Sequence, residues 1–292
     1  MGVLESIIVI ISLGLLVALV LIVLQGFFYL LISAIGLESI LISQKTKNKV
    51  REQLNQIDYF KKLSDEGKKI FIDRVVIFMT YKNFRGGDKF EITDETKTLI
   101  SATAVQLTFG LDNYKLNTLT TIIVFPSTFT LPKTKYIYKG ATLRSVMVLS
   151  WKDFKLGIDD PSDKINLGIH EMTHALKLDT FLGEEYDNHF RYKIKHWENY
   201  LVDNFEVLRK ESDTFLREYH NANHNEFFAV AVEAFFERPQ DFQKHLPEIF
   251  DKLAYLLNQD PTNLYDDYRL RTVGNSDNNA IKNIASALVK KD

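Results

Sequence analysis

The N-terminal part of the chain contains 32 consecutive uncharged residues, from Ser6 to Leu37. They are dominated by Ile, Leu, Val and Phe, and a helix of this length, at about 1.5 Å per residue, exceeds the ~30 Å hydrocarbon layer of a bilayer. The alternatives are a secretory signal peptide and a buried core helix. No Lys or Arg precedes the segment, which is about twice as long as a signal h-region, and few soluble folds bury a helix that is apolar on every side. We therefore predict an N-terminal transmembrane anchor within residues 1–42.

The charges that flank the apolar segment predict its orientation. Six basic and two acidic residues lie between Lys45 and Lys62, whereas Glu5 and the terminal amine are the only charges upstream. The positive-inside rule then places the longer C-terminal part in the cytoplasm. The alternative is a solvated helix face that says nothing about orientation. The expected arrangement is a single-pass membrane protein with a basic juxtamembrane linker at residues 43–58.

The composition of the whole chain excludes several classes of protein. A hydrophobic content of 46% is enough for a sizeable core and excludes collagen-like and largely disordered chains. The 36 basic and 38 acidic residues nearly cancel, so no global field favours direct nucleic-acid binding. Because there is no cysteine, thiol catalysis and disulfides are impossible, and any metal site must use His, Asp or Glu.

The remaining sequence predicts helices on both sides of a short β-rich region. Apolar spacing predicts helices over about 50–83, 94–109, 161–178, 192–217 and 225–236, and strands over 119–125, 136–138 and 143–151. The sequence Arg85-Gly86-Gly87-Asp88 predicts a turn. This order predicts an α+β domain, mainly helical with a small sheet, over residues 59–271. Residues 272–292 form a C-terminal tail without an assigned role.

His170-Glu171-Met172-Thr173-His174 is an H-E-x-x-H motif on one of the predicted helices. Residues four apart lie about 40° apart around a helix, so both imidazoles can face one ion, with Glu171 beside them as a general base. The alternative is a surface helix with two solvated histidines. The flanking residues are apolar, however, which indicates a buried helix where uncompensated His and Glu would be costly.

Zinc catalysis with two histidines needs a third protein ligand and one open position. No third histidine follows at the short spacing typical of metzincins. The apolar segment Asn225–Phe236 carries Glu226 and Glu233, which share a helix face and lie about 10 Å apart along its axis. We expect one glutamate to bind the metal. The other glutamate and Asp179 are candidates for orienting a ligand histidine, and the alternative for each is a structural or helix-surface carboxylate.

Five segments, in the same order, resemble the Mlc titration factor A family of gluzincin-like zinc metallopeptidases. They are FKKLSDEGKKIFIDRVVIFMTYKNFRGG, FEITDETKTLISATAVQLTFGL, VMVLSW, NLGIHEMTHAL and NEFFAVAVEAFFERP, and the similarity runs from about residue 59 to 260. The resemblance implies a zincin-like fold, Glu226 as the third ligand and Tyr219 as the hydrogen-bond donor to the reaction's oxyanion. Family members are typically soluble and cytosolic, so the apolar N-terminus is a departure from the pattern.

Together these features predict a membrane-anchored zinc metallopeptidase that cleaves a peptide or protein substrate, with aminopeptidase-like activity as one form of that function. Zn²⁺ is expected on His170, His174 and Glu226, and Glu171 is expected to act as general base on a metal-activated water. An extended substrate is expected to pair with a sheet edge near residues 146–150. The resemblance also implies an alternative, a regulatory protein that binds and sequesters a transcription repressor, with weak or incidental peptidase activity.

Overall fold

The computed structural model describes residues 2–34, 38–183, 188–212, 215–216 and 223–270. Tyr219 and the predicted tail, residues 272–292, lie outside this part of the chain. The chain forms two compact units, residues 1–49 and 50–292.

The first unit contains the long helix α1, Val3–Ala34. Its segment Ile11–Phe28 has a mean hydropathy of 2.6 with none of its side chains buried, so by length and composition it could cross a membrane. A short 3-10 turn at Glu38–Leu41 follows. Helix α2, Gln44–Leu54, then occupies most of the predicted linker, which is therefore largely helical.

The second unit is mainly helical. Ser64 and Thr93 begin two of its longest helices, because their hydroxyl oxygens accept hydrogen bonds from the backbone N–H groups of Gly67 and Thr96. The helices described here are α3 Asp58–Lys61, α4 Asp65–Thr80, α5 Asp94–Thr108, α6 Trp151–Asp159, α7 Leu167–Leu182, α8 Asn188–Ser212, α9 His224–Glu237, α10 Pro239–His245 and α11 Pro247–Leu257.

A four-stranded sheet lies beside these helices, with the strand order β1-β2-β6-β5. The first three strands in this order are parallel, and β5 runs antiparallel to β6 at the sheet's edge. A separate two-stranded ribbon pairs β3 with β4. The strands are β1 Asn83–Gly86, β2 Thr121–Phe125, β3 Phe129–Thr130, β4 Ile137–Tyr138, β5 Gly140–Leu143 and β6 Val146–Ser150. The mainly helical α+β class predicted from the sequence is confirmed.

Helix α5 lies at the centre of the core. Nearly every residue from Thr96 to Thr108 is buried, and the helix packs against α4 on one side and α7 on another. Helix α7 in turn packs against α9 and contacts strands β5 and β6. These contacts bring α7, α9 and the edge strand β5 together at one place.

The structure corrects four sequence-based expectations. The helix expected to begin at residues 161–163 begins at Leu167. Arg85 and Gly86, predicted to form part of a turn, belong to the four-residue strand β1. Trp151, expected to end a strand, begins α6. Strand β6, expected at the sheet's edge, lies between β2 and β5, so β5 is the edge strand. The short edge strand was missed because its four residues show little alternation of apolar and polar types.

Candidate metal centre

Asn166 and Asn223 determine where the two helices of the site begin. The side-chain oxygen of Asn166 accepts a hydrogen bond from Ile169 N at 3.0 Å, and that of Asn223 accepts from Asn225 N and Glu226 N. Such caps satisfy backbone donors that have no partner within the helix. Glu226 therefore lies in the first turn of α9, where the helix dipole favours a carboxylate.

His170, His174 and Glu226 bring their donor atoms together. The two Nε2 atoms lie 3.2 Å apart, His170 Nε2 is 3.2 Å from Glu226 Oε2, and His174 Nε2 is 3.4 Å from Glu226 Oε1. Tetrahedral ligands bound at about 2.0–2.1 Å stand about 3.3–3.4 Å from one another. The three side chains therefore have both the donor types and the spacing to hold one divalent ion.

The charge balance at this cluster favours a cation. Burial opposes protonation of His170, but hydrogen bonds to the carboxylates of Glu226 and Glu233 outweigh it and raise its pKa to about 10. Hydrogen bonds to His170 and His174 lower the pKa of Glu226 well below its usual range. Without an ion, a proton on the imidazole supplies the positive charge that these carboxylates stabilise.

Glu233 supports His170 from the side opposite the donor cluster. Its carboxylate is 1% exposed, lies 2.8 Å from His170 Nδ1 and accepts a bond from Asn166 N at 2.6 Å. When the imidazole is neutral and binds a metal ion, a carboxylate that accepts from Nδ1 keeps the ring proton there and leaves the Nε2 lone pair towards the cluster. The imidazole ring thus spans the two glutamates that the sequence places seven residues apart.

Asp179, the other candidate for this supporting role, lies elsewhere. It is 1% exposed, and its Oδ1 accepts a hydrogen bond from Thr118 N at 2.5 Å. It therefore fixes the loop before β2 to the last turns of α7. The sequence offered no way to separate the two acids, since both follow the motif on predicted helices.

Glu171 is buried beside the two imidazoles. It is 5% exposed, and burial raises its pKa against the hydrogen bond from Thr142 and the nearby histidines. Thr142 Oγ1 donates to Glu171 Oε2 at 2.7 Å. Sequence reasoning missed Thr142, because no local pattern connects residues 29 positions apart on different elements.

A cavity of about 560 Å³ lies between α8 and the start of α9, and its lining does not include the three candidate ligands or Glu171. The Lys177 ammonium, one turn after His174, bonds Asn225 Oδ1 at 2.5 Å and pairs with Glu198 Oε1 at 2.5 Å in its wall. The full lining is Lys177, Glu198, Asn199, Leu201, Val202, Phe205, Asn223, His224 and Asn225.

Comparison with known proteins agrees with this geometry. Residues 37–257 match the family described as glucose-regulated metallo-peptidase M90. An uncharacterized protein of Synechocystis sp. is 24% identical over 217 residues, which cover 68% of this chain and 79% of that protein. The family implies a metal ion, and the histidine pair with Glu226 could hold one. The chain therefore belongs to the glucose-regulated metallo-peptidase M90 family, the family of the Mlc titration factor, and is a metallopeptidase-like protein.

Proposed function

We propose that the protein is a membrane-anchored, zinc-dependent peptidase that hydrolyses extended peptide segments. The observation that carries the proposal is the convergence of two imidazole nitrogens and the two oxygens of one carboxylate, at 3.2–3.4 Å, beside a buried glutamate. Two imidazoles and one carboxylate are a ligand set that catalytic zinc uses, and they leave a coordination position open. When bound, zinc polarises the scissile carbonyl and lowers the pKa of a water molecule.

Glu171 is the proposed general base. Its carboxylate accepts a proton from the attacking water, whose oxygen bonds to the carbonyl carbon. The same carboxyl then gives the proton to the amide nitrogen as the C–N bond breaks. Tyr219, by family resemblance, donates a hydrogen bond to the oxyanion that forms at the carbonyl oxygen.

The edge strand β5 is the proposed docking site for the substrate backbone. Ser150 N donates to Lys139 O at 2.7 Å, which makes these two residues a hydrogen-bonded pair. Because such pairs alternate in an antiparallel ladder, Gly140 and Thr142 direct their backbone N–H and C=O groups away from β6. An extended peptide can bond these groups by strand addition, next to Glu171.

The general-base role is tested with Glu171→Gln in the full-length protein in detergent. We expect one zinc per chain in both proteins, measured by elemental analysis, and a loss of at least about 100-fold in cleavage of an unstructured fluorogenic peptide. Glu66→Gln, an exposed glutamate on α4, serves as the matched control. Undiminished cleavage by the Glu171 variant would contradict the proposal. Comparing peptides with free and acetylated N-termini separates aminopeptidase from endopeptidase activity, since only the former needs the free amine.

We further propose that α1 anchors the protein with the peptidase unit on the cytoplasmic side. This rests on the apolar segment Ile11–Phe28 and on the basic residues Lys45, Lys47 and Lys49 that follow it. Protease added to membrane vesicles of known orientation should digest the peptidase unit only when the cytoplasmic face points outwards. Digestion in right-side-out vesicles would reverse the orientation.

Capture of a transcription repressor remains the alternative function. It predicts that the Glu171→Gln protein retains a DNA-binding partner in pulldown experiments while losing peptide cleavage. A catalytic function alone predicts no such complex.

A further inference from the structure

We propose that Thr142 and Gly140, on the edge strand β5, position the general base Glu171. The inference rests on the proposed peptidase function, in which Glu171 moves the proton. It concerns two residues of a different element, 29 and 31 positions before Glu171 in the chain.

The first observation is the hydroxyl of Thr142. Its Oγ1 lies 2.7 Å from Glu171 Oε2 and 3.2 Å from the backbone oxygen of the same residue. The single hydroxyl proton is directed chiefly at the carboxylate, since the shorter of the two hydrogen bonds is the stronger one. Within the described part of the chain, this is the side-chain hydrogen bond that holds the carboxylate.

The second observation is the missing side chain at Gly140. Residues two apart on a strand share a face, so Gly140 and Thr142 both face Glu171. A Cβ added at Gly140 would lie 2.8 Å from both Cγ and Cδ of Glu171, closer than real contacts allow. Glycine therefore leaves the space that the carboxylate occupies, and any larger residue would displace it.

Thr142 and Gly140 contact different oxygens of the Glu171 carboxylate. Oε2 is held by Thr142, and Oε1 lies in the space that the missing Cβ of Gly140 leaves. In the proposed reaction Oε1, which Thr142 does not bond, accepts the proton of the attacking water. The backbone of Thr142 faces the open edge of β5, where the substrate strand is proposed to bind. One residue thus fixes the base with its side chain and the substrate with its backbone, which aligns the scissile bond with the base.

The test compares Thr142→Val, which keeps the shape but removes the hydroxyl, with Thr142→Ser, which keeps the hydroxyl. Loss of a group that orients a catalytic residue costs about 10-fold or more in activity. We expect kcat to fall about 10-fold in the valine variant with KM within twofold, and serine to retain kcat within about threefold. Thr120→Val is the matched control, because this exposed hydroxyl lies on the chain outside the site and bonds the Ser145 backbone oxygen at 3.3 Å. Zinc content should remain one per chain throughout.

Gly140→Ala provides a second variant, in case valine at position 142 disturbs β5. It should lower kcat to a similar extent by displacing the carboxylate. A merely structural role for either residue would instead raise KM or reduce zinc content, and serine would then not rescue the valine variant. Equal kcat in the wild type and Thr142→Val, or equal impairment by serine and valine, would overturn the proposal.

Binding of acetohydroxamate to the zinc-loaded protein, measured by calorimetry, gives a readout that needs no turnover. The acidic proton of this probe is shared with the general base, so Glu171→Gln defines the full loss of affinity. Thr142→Val should weaken binding about 10-fold and Thr142→Ser less than threefold. If this pattern appears but the wild type cleaves no peptide, the peptidase function fails while the positioning role stands. Failure of the wild type to bind acetohydroxamate would contradict both.

Discussion

Replacing Glu233 by glutamine tests whether the bond to His170 Nδ1 determines metal affinity. Both oxygens of this buried carboxylate accept hydrogen bonds, from His170 Nδ1 at 2.8 Å and from Asn166 N at 2.6 Å. Glutamine has one acceptor oxygen, and its amide NH₂ group must face the other donor. The backbone N–H of Asn166 cannot change, so the imidazole loses its proton at Nδ1 and carries it on Nε2, the atom that faces the metal.

The magnitude follows from the mismatch. Altered support of a ligand histidine weakens metal binding about 10- to 100-fold, and the proton on Nε2 must leave before that atom can bind the metal. A 10- to 100-fold change in Kd corresponds to about 1.4–2.7 kcal/mol. We therefore expect the zinc Kd of Glu233→Gln to rise by about 10- to 100-fold, while the three donor residues remain in place.

The assay is competition for zinc with a chromophoric chelator at neutral pH. Glu237→Gln is the matched control, since Glu237 lies one turn later on α9, and its Oε1 accepts from Asn166 Nδ2 at 3.1 Å without contact to His170. The control should leave the zinc Kd within about threefold. Equal weakening by the two substitutions would show that the tautomer of His170 does not determine affinity.

Three further predictions concern the free energy of unfolding. Each is checked by urea unfolding of the metal-free protein, followed by tryptophan fluorescence. Both tryptophans lie in the second unit. Burial raises the pKa of Glu237 to about 8 against the hydrogen bond from Asn166, so the folded state holds a proton that the unfolded state releases above pH 4.5. Stability from this group is present below about pH 4.5 and is lost as the pH rises to 8, by about 2–4 kcal/mol, and Glu237→Gln should abolish that loss. Asp179→Ala should cost about 1–3 kcal/mol, because Thr118 N loses its buried acceptor, yet leave the zinc Kd unchanged. Phe154→Ala should cost about 3–5 kcal/mol, since this fully buried ring stacks on Trp151 and packs against Gly168. A pH-independent wild type, a weakened zinc site in the Asp179 variant or a cost below 1 kcal/mol for Phe154 would refute the respective argument.

Local chemistry in the sequence predicted several features of the fold. Ser64 and Thr93 are residue types that favour helix starts, and they precede α4 and α5 and accept hydrogen bonds from the first-turn backbone N–H groups. The H-E-x-x-H motif lies on one helix, as four-residue spacing requires for two imidazoles on one face. These features depend on neighbours within four residues, and such neighbours are visible in the sequence.

The prediction that a helix begins at Pro161 was wrong. Asp160 and Asp163 use their carboxylates to bond the backbone of Ser162 and Ile165, and Lys164 adopts a left-handed φ of 65°. Such side-chain bonds stabilise turns in competition with helices. The helix instead begins after Asn166, whose backbone N–H bonds the distant Glu233, a contact that no local pattern predicts.

The candidate metal centre depends both on residue spacing along the sequence and on the packing of distant elements. Helical periodicity places Glu226 and Glu233 on one face about 10 Å apart, which is too far for both to bind one ion. The imidazole of His170 lies between the two carboxylates, with Glu226 at 3.2 Å from Nε2 and Glu233 at 2.8 Å from Nδ1. The sequence therefore contained the spacing, but assigning the two roles required the packing of α7 against α9, which determines which end of the ring each glutamate meets. The contact of Thr142 could not be predicted from the two helices alone, because the antiparallel register of a third element, β5, directs its hydroxyl to Glu171.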